Sequence, residues 1–250
     1  MSTTSRQASN ETPRRILITG AGSGIGRAVA LRLDAQGHWL ALIGRRLEAL
    51  EQTASACRSQ PPLLLPADVT KLAELAIAAR SIEQAWGALD GVVNNAGVAF
   101  YGSPEQTSLL DWERVLAVNL TAPFMVVQTM LPLLRRGKQA AIVNVASTLG
   151  VVGLRGASAY CAAKGGLVNW TRALALDLAP DQIRVTAVLP GVVDTPTLDT
   201  ARGDSHSAAA RKQRLAALHP LGRLASPDDV AAAIAMLLSR DAGFMTGSLL

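Results

Sequence analysis

Tyr160 and Lys164 stand four residues apart in Tyr160-Cys161-Ala162-Ala163-Lys164, inside a stretch whose pattern predicts a helix over 157–179. Four residues is one helical turn, so the two side chains share a face. A phenol ordinarily titrates near pH 10, too high for a base at neutral pH, and an ammonium group one turn away favours the phenolate. The pair therefore predicts a phenol that exchanges a proton with a substrate oxygen, its acidity raised by Lys164. Ser147, at the carboxyl end of a strand predicted over 140–146, offers a hydroxyl to the same oxygen. Taken alone, such a Tyr–Lys pair also describes an exposed helix surface, and such a serine a cap. The pattern needs company.

It finds company in Thr19-Gly20-Ala21-Gly22-Ser23-Gly24-Ile25-Gly26, which follows a strand predicted over 15–19 and opens a helix predicted over 24–36. Glycines let a backbone turn sharply and approach a pyrophosphate, and a helix N-terminus offers free N–H groups and partial positive charge. Gly20, Ser23, Gly24, Ile25 and Gly26 are thus expected at a dinucleotide. The second strand ends in Ile43-Gly44-Arg45-Arg46, where a fold that prefers NAD places an acid for the ribose hydroxyls. No acid is there. Arg45 and Arg46 suit a 2′-phosphate, so NADP(H) is expected over NAD(H). A carbonyl that accepts hydride from such a cofactor becomes an alkoxide, and the phenol and hydroxyl above meet that need.

Short apolar runs alternating with helical patterns predict an α/β fold, a Rossmann-like, doubly wound sheet of about seven parallel strands with helices on both faces. The strands fall near 15–19, 39–43, 63–65, 90–93, 140–146, 183–189 and 245–250. The helices fall near 24–36, 46–58, 71–86, 105–135, 157–179 and 226–239. One domain over 15–250 follows a disordered extension over 1–14, and a polar excursion near 196–220 reads as a substrate lid.

The net charge of +5 includes Arg6, Arg14 and Arg15, in or beside that extension, and no basic run is interleaved with aromatics, so no nucleic-acid partner is expected. No purely apolar stretch of about 18 residues predicts a membrane span, and residues 1–12 lack the apolar core of a secretory signal. Cys57 and Cys161 are the only cysteines, which fits a reducing, cytoplasmic setting. His38, His206 and His219 show no ligand spacing, so no metal is expected, although His206 lies in the lid.

From about Arg15 onward the sequence resembles the short-chain dehydrogenase/reductase family, on an ordered series of motifs. After the glycine segment come Asp68-Val69, Asn94-Asn95-Ala96-Gly97, Asn119 in Val118-Asn119-Leu120, Ser147, Tyr160 with Lys164, and Pro190-Gly191. The resemblance implies that Asp68 and Val69 lie beside adenine and that Asn95, Ala96 and Gly97 line the cofactor site. It implies that Lys164 also holds the nicotinamide ribose and that Asn119 supports a water chain from Lys164. Pro190, Gly191, Val193 and Thr195 would cup the nicotinamide carboxamide. By the residues alone, Asn119 is a misfit polar residue in the 105–135 helix, near a kink at Pro123.

The resemblance further implies a small-molecule alcohol or carbonyl substrate (ketone, aldehyde or 3-oxoacyl type) and a homo-oligomer, tetramer or dimer, built on helices near 105–135 and 157–179. Family members commonly continue past Leu250 with an Asp-Gly-Gly turn, so the last strand is expected to be short. Leu149, Val151, Val152 and Leu154 predict an apolar substrate lining. Two other readings stay open: a nucleotide-sensing scaffold without turnover, and non-redox chemistry such as epimerisation or dehydration on the same fold.

Overall fold

Ile16 and Ile18 face one side of the first strand and Leu17 the other, and all three are fully buried, so this strand requires cover on both faces. The computed structural model, which describes residues 12–195 and 208–250, supplies it. Six strands, β1 (Arg15–Thr19), β2 (Trp39–Gly44), β3 (Leu63–Pro66), β4 (Gly91–Asn94), β5 (Ala141–Val145) and β6 (Arg184–Val188), pair in parallel in the order β3-β2-β1-β4-β5-β6. The helices are α1 (Gly24–Ala35), α2 (Leu47–Ala54), α3 (Leu72–Trp86), α4 (Leu109–Leu116), α5 (Ala122–Arg135), α6 (Ser158–Leu178), α7 (Ala208–Ala217) and α8 (Pro227–Leu238).

Val29 and Leu33 of α1 and Val230 and Ile234 of α8 pack with Ile16, Ile18, Leu42 and Val143 on one face. Leu75 and Ile82 of α3, Val126 and Met130 of α5 and Leu174 of α6 pack with Leu17, Ile43, Val92 and Ile142 on the other. The chain winds outward from β1 in one direction, then restarts from β4 in the other. Crevices in open α/β sheets form at such a reversal, beyond the carboxyl ends of the strands.

The expected seventh strand is reduced to a bridge between Leu249 and Ala187, with Leu250 N–H donating to the Ala187 carbonyl at 2.9 Å. Gly247, at φ +65°, turns the chain in the middle of the predicted strand. The predicted 105–135 helix also divides: a 3₁₀ turn at Pro104–Gln106 precedes α4, and a π-helical segment, Ala117–Thr121, joins α4 to α5. By length and composition alone, Leu109–Arg135 is apolar enough to cross a membrane, although it is not the purely apolar run looked for in the sequence. Here it lies against α3 and α6, with Val115, Val126 and Met130 buried in the core. The N-terminal tail up to residue 11, and positions 196–207 of the predicted lid with His206, lie outside the described residues.

Arg14 and Arg15, counted above in the net charge beside the tail, are structural. Arg14 is 8% exposed and donates to the carbonyls of Leu238, Asp90 and Gln139. Asp90 accepts from the backbone and side chain of Arg15 at 2.8–2.9 Å and from Lys138 N–H at 2.7 Å. Burial pushes the Asp90 carboxyl up, but these Arg15 and Lys138 donors outweigh it and hold the group below its usual range. Its stabilisation is therefore full above the unfolded value of about 4 and fades as the pH falls through the lower folded value. Asp90→Ala should cost about 2–4 kcal/mol at pH 7 by urea denaturation, with the gap to wild type closing in acid. An unchanged midpoint at pH 7 would contradict the role.

Candidate active site

β1 ends at Thr19, and the next residue, Gly20, adopts φ +66°, turning the chain toward α1. Thr19 Oγ1 accepts from the N–H groups of Asn95 and Ala96, both at 3.0 Å, while Asn95 Nδ2 donates to the carbonyls of Thr19 (2.9 Å) and Gly20 (3.2 Å). The glycine turn is thus tied to the end of β4. A Cβ on Gly26 would stand 2.3 Å from the Gly20 oxygen, so this glycine lets the first turn of α1 close onto the loop. Gly26 packs the cradle and, unlike the other predicted glycine-turn residues, does not line the cavity. Ser23, the N-cap, makes no side-chain capping bond, which leaves early N–H groups of α1 available to an anion.

The turn forms one end of a cavity of about 1120 Å³, whose walls include every other predicted site residue. Arg45 and Arg46 are exposed at the end of β2, and Gly44 keeps that strand end free of a side chain. Near them, burial raises the Asp68 carboxyl, but the amide and hydroxyl of Thr70, then the charges of Arg45 and Lys71, hold it below its usual value. Uncapped amides, a cradle that rejects a Cβ, and cations at the neighbouring end of β2 fit a dinucleotide phosphate.

At the other end, β5 delivers Ser147, whose Oγ accepts from Leu149 N–H at 3.1 Å and whose hydroxyl favours the ionised form of Tyr160. α6 begins at Ser158, placing Tyr160 in its first turn and Lys164 in the next. The 3₁₀ turn Thr148–Gly150 lies so close to α6 that a Cβ on Gly150 would stand 2.8 Å from the Lys164 carbonyl. Asn119 is wholly buried and donates to the carbonyls of Val98 (2.8 Å) and Val115 (2.9 Å). The break that seats it is the π segment, closed by Ala122 N–H to the Ala117 carbonyl. Pro123, the expected kink, lies just beyond, and its missing N–H withdraws a donor from the preceding turn. Gly97 separates Asn119 from Lys164: a Cβ there would lie 3.0 Å from Asn119 Oδ1 and 3.8 Å from Lys164 Nζ.

The electrostatics correct one expectation. Tyr160 is pushed up to about 12 by burial, with Tyr101 and Cys161 adding to the rise and only the Ser147 bond opposing it. Lys164 is pulled down to about 8 by desolvation. Its ammonium donates to the Val145 carbonyl at 2.7 Å and lies 5.7 Å from the Tyr160 ring centre, over the ring rather than at the phenol oxygen. Burial therefore outweighs the one-turn charge that the spacing promised. Burial favours the protonated phenol, the form that can donate to a carbonyl oxygen.

Three features lie in segments expected to shape the pocket but were not singled out as site residues from the sequence. Tyr101 lines the cavity with Tyr160, and these are the only two tyrosines in the chain, a compositional hint that was legible. Arg155, Arg211 and Arg214 join Leu149, Val152 and Leu154, so the lining is not simply apolar; Val151 lies outside it. His219, two residues past α7, also lines the cavity, and its Nε2 accepts from Val192 N–H at 3.1 Å. On this wall stand Pro190, Gly191, Val193 and Thr195, the last with Cγ2 3.3 Å from where a Gly24 Cβ would be.

Over residues 20–250 the sequence matches the family described as enoyl-(acyl carrier protein) reductase. It is 38% identical over 235 residues to 2-(S)-hydroxypropyl-CoM dehydrogenase 3 of Xanthobacter autotrophicus (strain ATCC BAA-1158 / Py2), covering 93% of this chain and 92% of that one. Cyclohexanol dehydrogenase of Acinetobacter sp. (strain SE19) is 36% identical over 241 residues, covering 93% and 90%. The crystal structure of 3-ketoacyl-(acyl-carrier-protein) reductase from Brucella melitensis complexed with NADH superposes with a TM-score of 0.87 at 32% identity, covering 95% of each chain. Sequence and sheet agree with the motif series, and the chain belongs to the short-chain dehydrogenase/reductase family of nicotinamide-dependent oxidoreductases.

Proposed function

We propose that this chain reduces a carbonyl, or oxidises the corresponding secondary alcohol, with NADP(H), using Tyr160 as acid/base. The observation that carries the reading is the convergence of Ser147, Tyr160, Lys164 and Asn119 on one end of a cavity whose other end is the glycine turn. A bound nicotinamide supplies or accepts the hydride. Ser147 orients the substrate oxygen, and Tyr160, held protonated by its surroundings, donates a proton to that oxygen as negative charge develops. Lys164 keeps a positive charge beside the phenol, and Asn119 fixes the loop at Val98 that borders both.

Arg45 and Arg46, with no carboxylate at the end of β2, support NADP(H) over NAD(H). Leu109, Leu110, Phe124 and Leu176 stand exposed on α4, α5 and α6, where we place a second copy of the chain. Cys57 and Cys161 are free thiols, which supports a reducing, cytoplasmic setting.

Tyr160→Phe should lower turnover of a ketone panel by ~10²–10⁴-fold with NADPH affinity retained. Full turnover by that variant would remove Tyr160 from the mechanism. Arg45→Ala should raise the KM for NADPH by about 10-fold and leave that for NADH nearly unchanged, whereas equal shifts would refute the cofactor preference. Between pH 8 and 10.5, the folded and ordinary values of Lys164, the unfolded chain holds a proton that the folded chain has released. Stability contributed by this group must climb with pH over that window. Urea denaturation of Lys164→Met should lack the climb, and an identical pH profile in both proteins would argue against a buried ammonium.

A further inference from the structure

Val192 donates its N–H to Nε2 of His219, and the other ring nitrogen, Nδ1, lies 2.8 Å from the Leu215 carbonyl of α7. A carbonyl only accepts and a backbone N–H only donates, so the contacts require the neutral imidazole with its hydrogen on Nδ1. Gly191 makes the approach possible, since a Cβ there would stand 2.9 Å from Nε2. Further along, Val193 bridges Ala225, and Asp194 N–H donates to the Ala225 carbonyl at 2.8 Å. The segment Val192–Asp194 is thus held by a two-way pairing with Ala225, whose N–H also donates to the Val192 carbonyl at 3.1 Å, by Lys212 at Asp194, and by the His219 ring at the Val192 N–H.

We infer that His219 is a positioning residue for the nicotinamide end of the cofactor, locking the segment around Val192 to the C-terminal end of α7 while its ring is neutral. The inference rests on the reading above that residues 190–195 meet the nicotinamide. Protonation would turn both ring nitrogens into donors and set two N–H groups face to face at Val192. Among the described residues, the ionisable groups on the elements that meet the ring are Arg211, Lys212 and Arg214 of α7, Asp194 and Arg223. Lys212 pairs with Asp194 at 2.6 Å, and Arg223 with Asp229. Cofactor grip should therefore weaken on the acid side through His219 itself.

The test compares His219→Leu, which removes the acceptor, with His219→Gln, whose side-chain carbonyl restores one that does not titrate. Two readouts apply: the NADPH dissociation constant by calorimetry between pH 5.5 and 8, and amide hydrogen exchange at Val192 in the cofactor-free protein. The Leu variant should bind NADPH about 10-fold more weakly at pH 8 and exchange Val192 about 10-fold faster, with kcat changed much less. The Gln variant should recover most of both and lose the acid-side weakening of the wild type. A Leu variant matching wild type in both readouts, or a Gln variant keeping the wild-type acid-side profile, overturns the proposal. Wild type that fails to bind NADPH at all would instead sink the cofactor reading, and this inference with it.

Discussion

The hydroxyl of Thr19 accepts two amides from the end of β4, and the side chain of Asn95 donates back to two carbonyls of the glycine turn. This reciprocal knot sits where the sheet order reverses, between β1 and β4. Two loops that leave neighbouring strands in opposite directions would otherwise drift apart, exposing polar backbone that sheet pairing no longer satisfies. The N-terminal end of α1 and the Ser147, Tyr160 and Lys164 side chains beyond β5 open onto a single cavity. Asn95 therefore builds the floor on which a cofactor would rest, a role beyond the contact its motif implies.

Burial shapes the chemistry as strongly as composition does. Enclosing Lys164 lowers its affinity for a proton, and enclosing Tyr160 raises the phenol's, so the two groups are drawn toward neutrality. A lone ammonium in such a place destabilises the folded chain, and the Val145 carbonyl offsets only part of that cost. Functional sites commonly retain an arrangement that stability alone would remove. Two other buried charges have several partners: Asp90 meets Arg15 and the Lys138 amide, and the guanidinium of Arg14 is spent on backbone carbonyls at strand and helix ends. The contrast separates residues that secure the fold from residues kept under tension for reaction.

The second wall of the cavity comes from the last quarter of the chain. α7 contributes Arg211 and Arg214 at a three-residue spacing, one face of a helix, and His219 follows in the turn before α8. His219 meets the segment after β6 at Val192, and the loop that follows pairs with it through Ala225 before α8 docks against α1. A sheet wound in both directions thus lets widely separated stretches of sequence share one crevice.

Local features were legible before any coordinates. The strand–glycine–helix order around Gly20, the one-turn spacing of Tyr160 and Lys164, and the acid-free end of β2 are all written within a few consecutive residues, and the structure places them as expected. Features that depend on distant partners were not. Reading Val-Asn-Leu cannot reveal that Asn119 sits in a π segment, since the carbonyls of Val98 and Val115 hold it there. Nothing near Gly26 tells that its missing Cβ makes room for the Gly20 carbonyl, and nothing near His219 points to Val192, 27 positions away. The sequence by itself determined the chemical vocabulary and the order of elements, because propensity, periodicity and motif spacing act over short stretches. Tertiary structure decided the direction of the Tyr160 shift, the seating of Asn119 and the partner of His219, because desolvation and long-range hydrogen bonds exist only once remote segments are brought into contact.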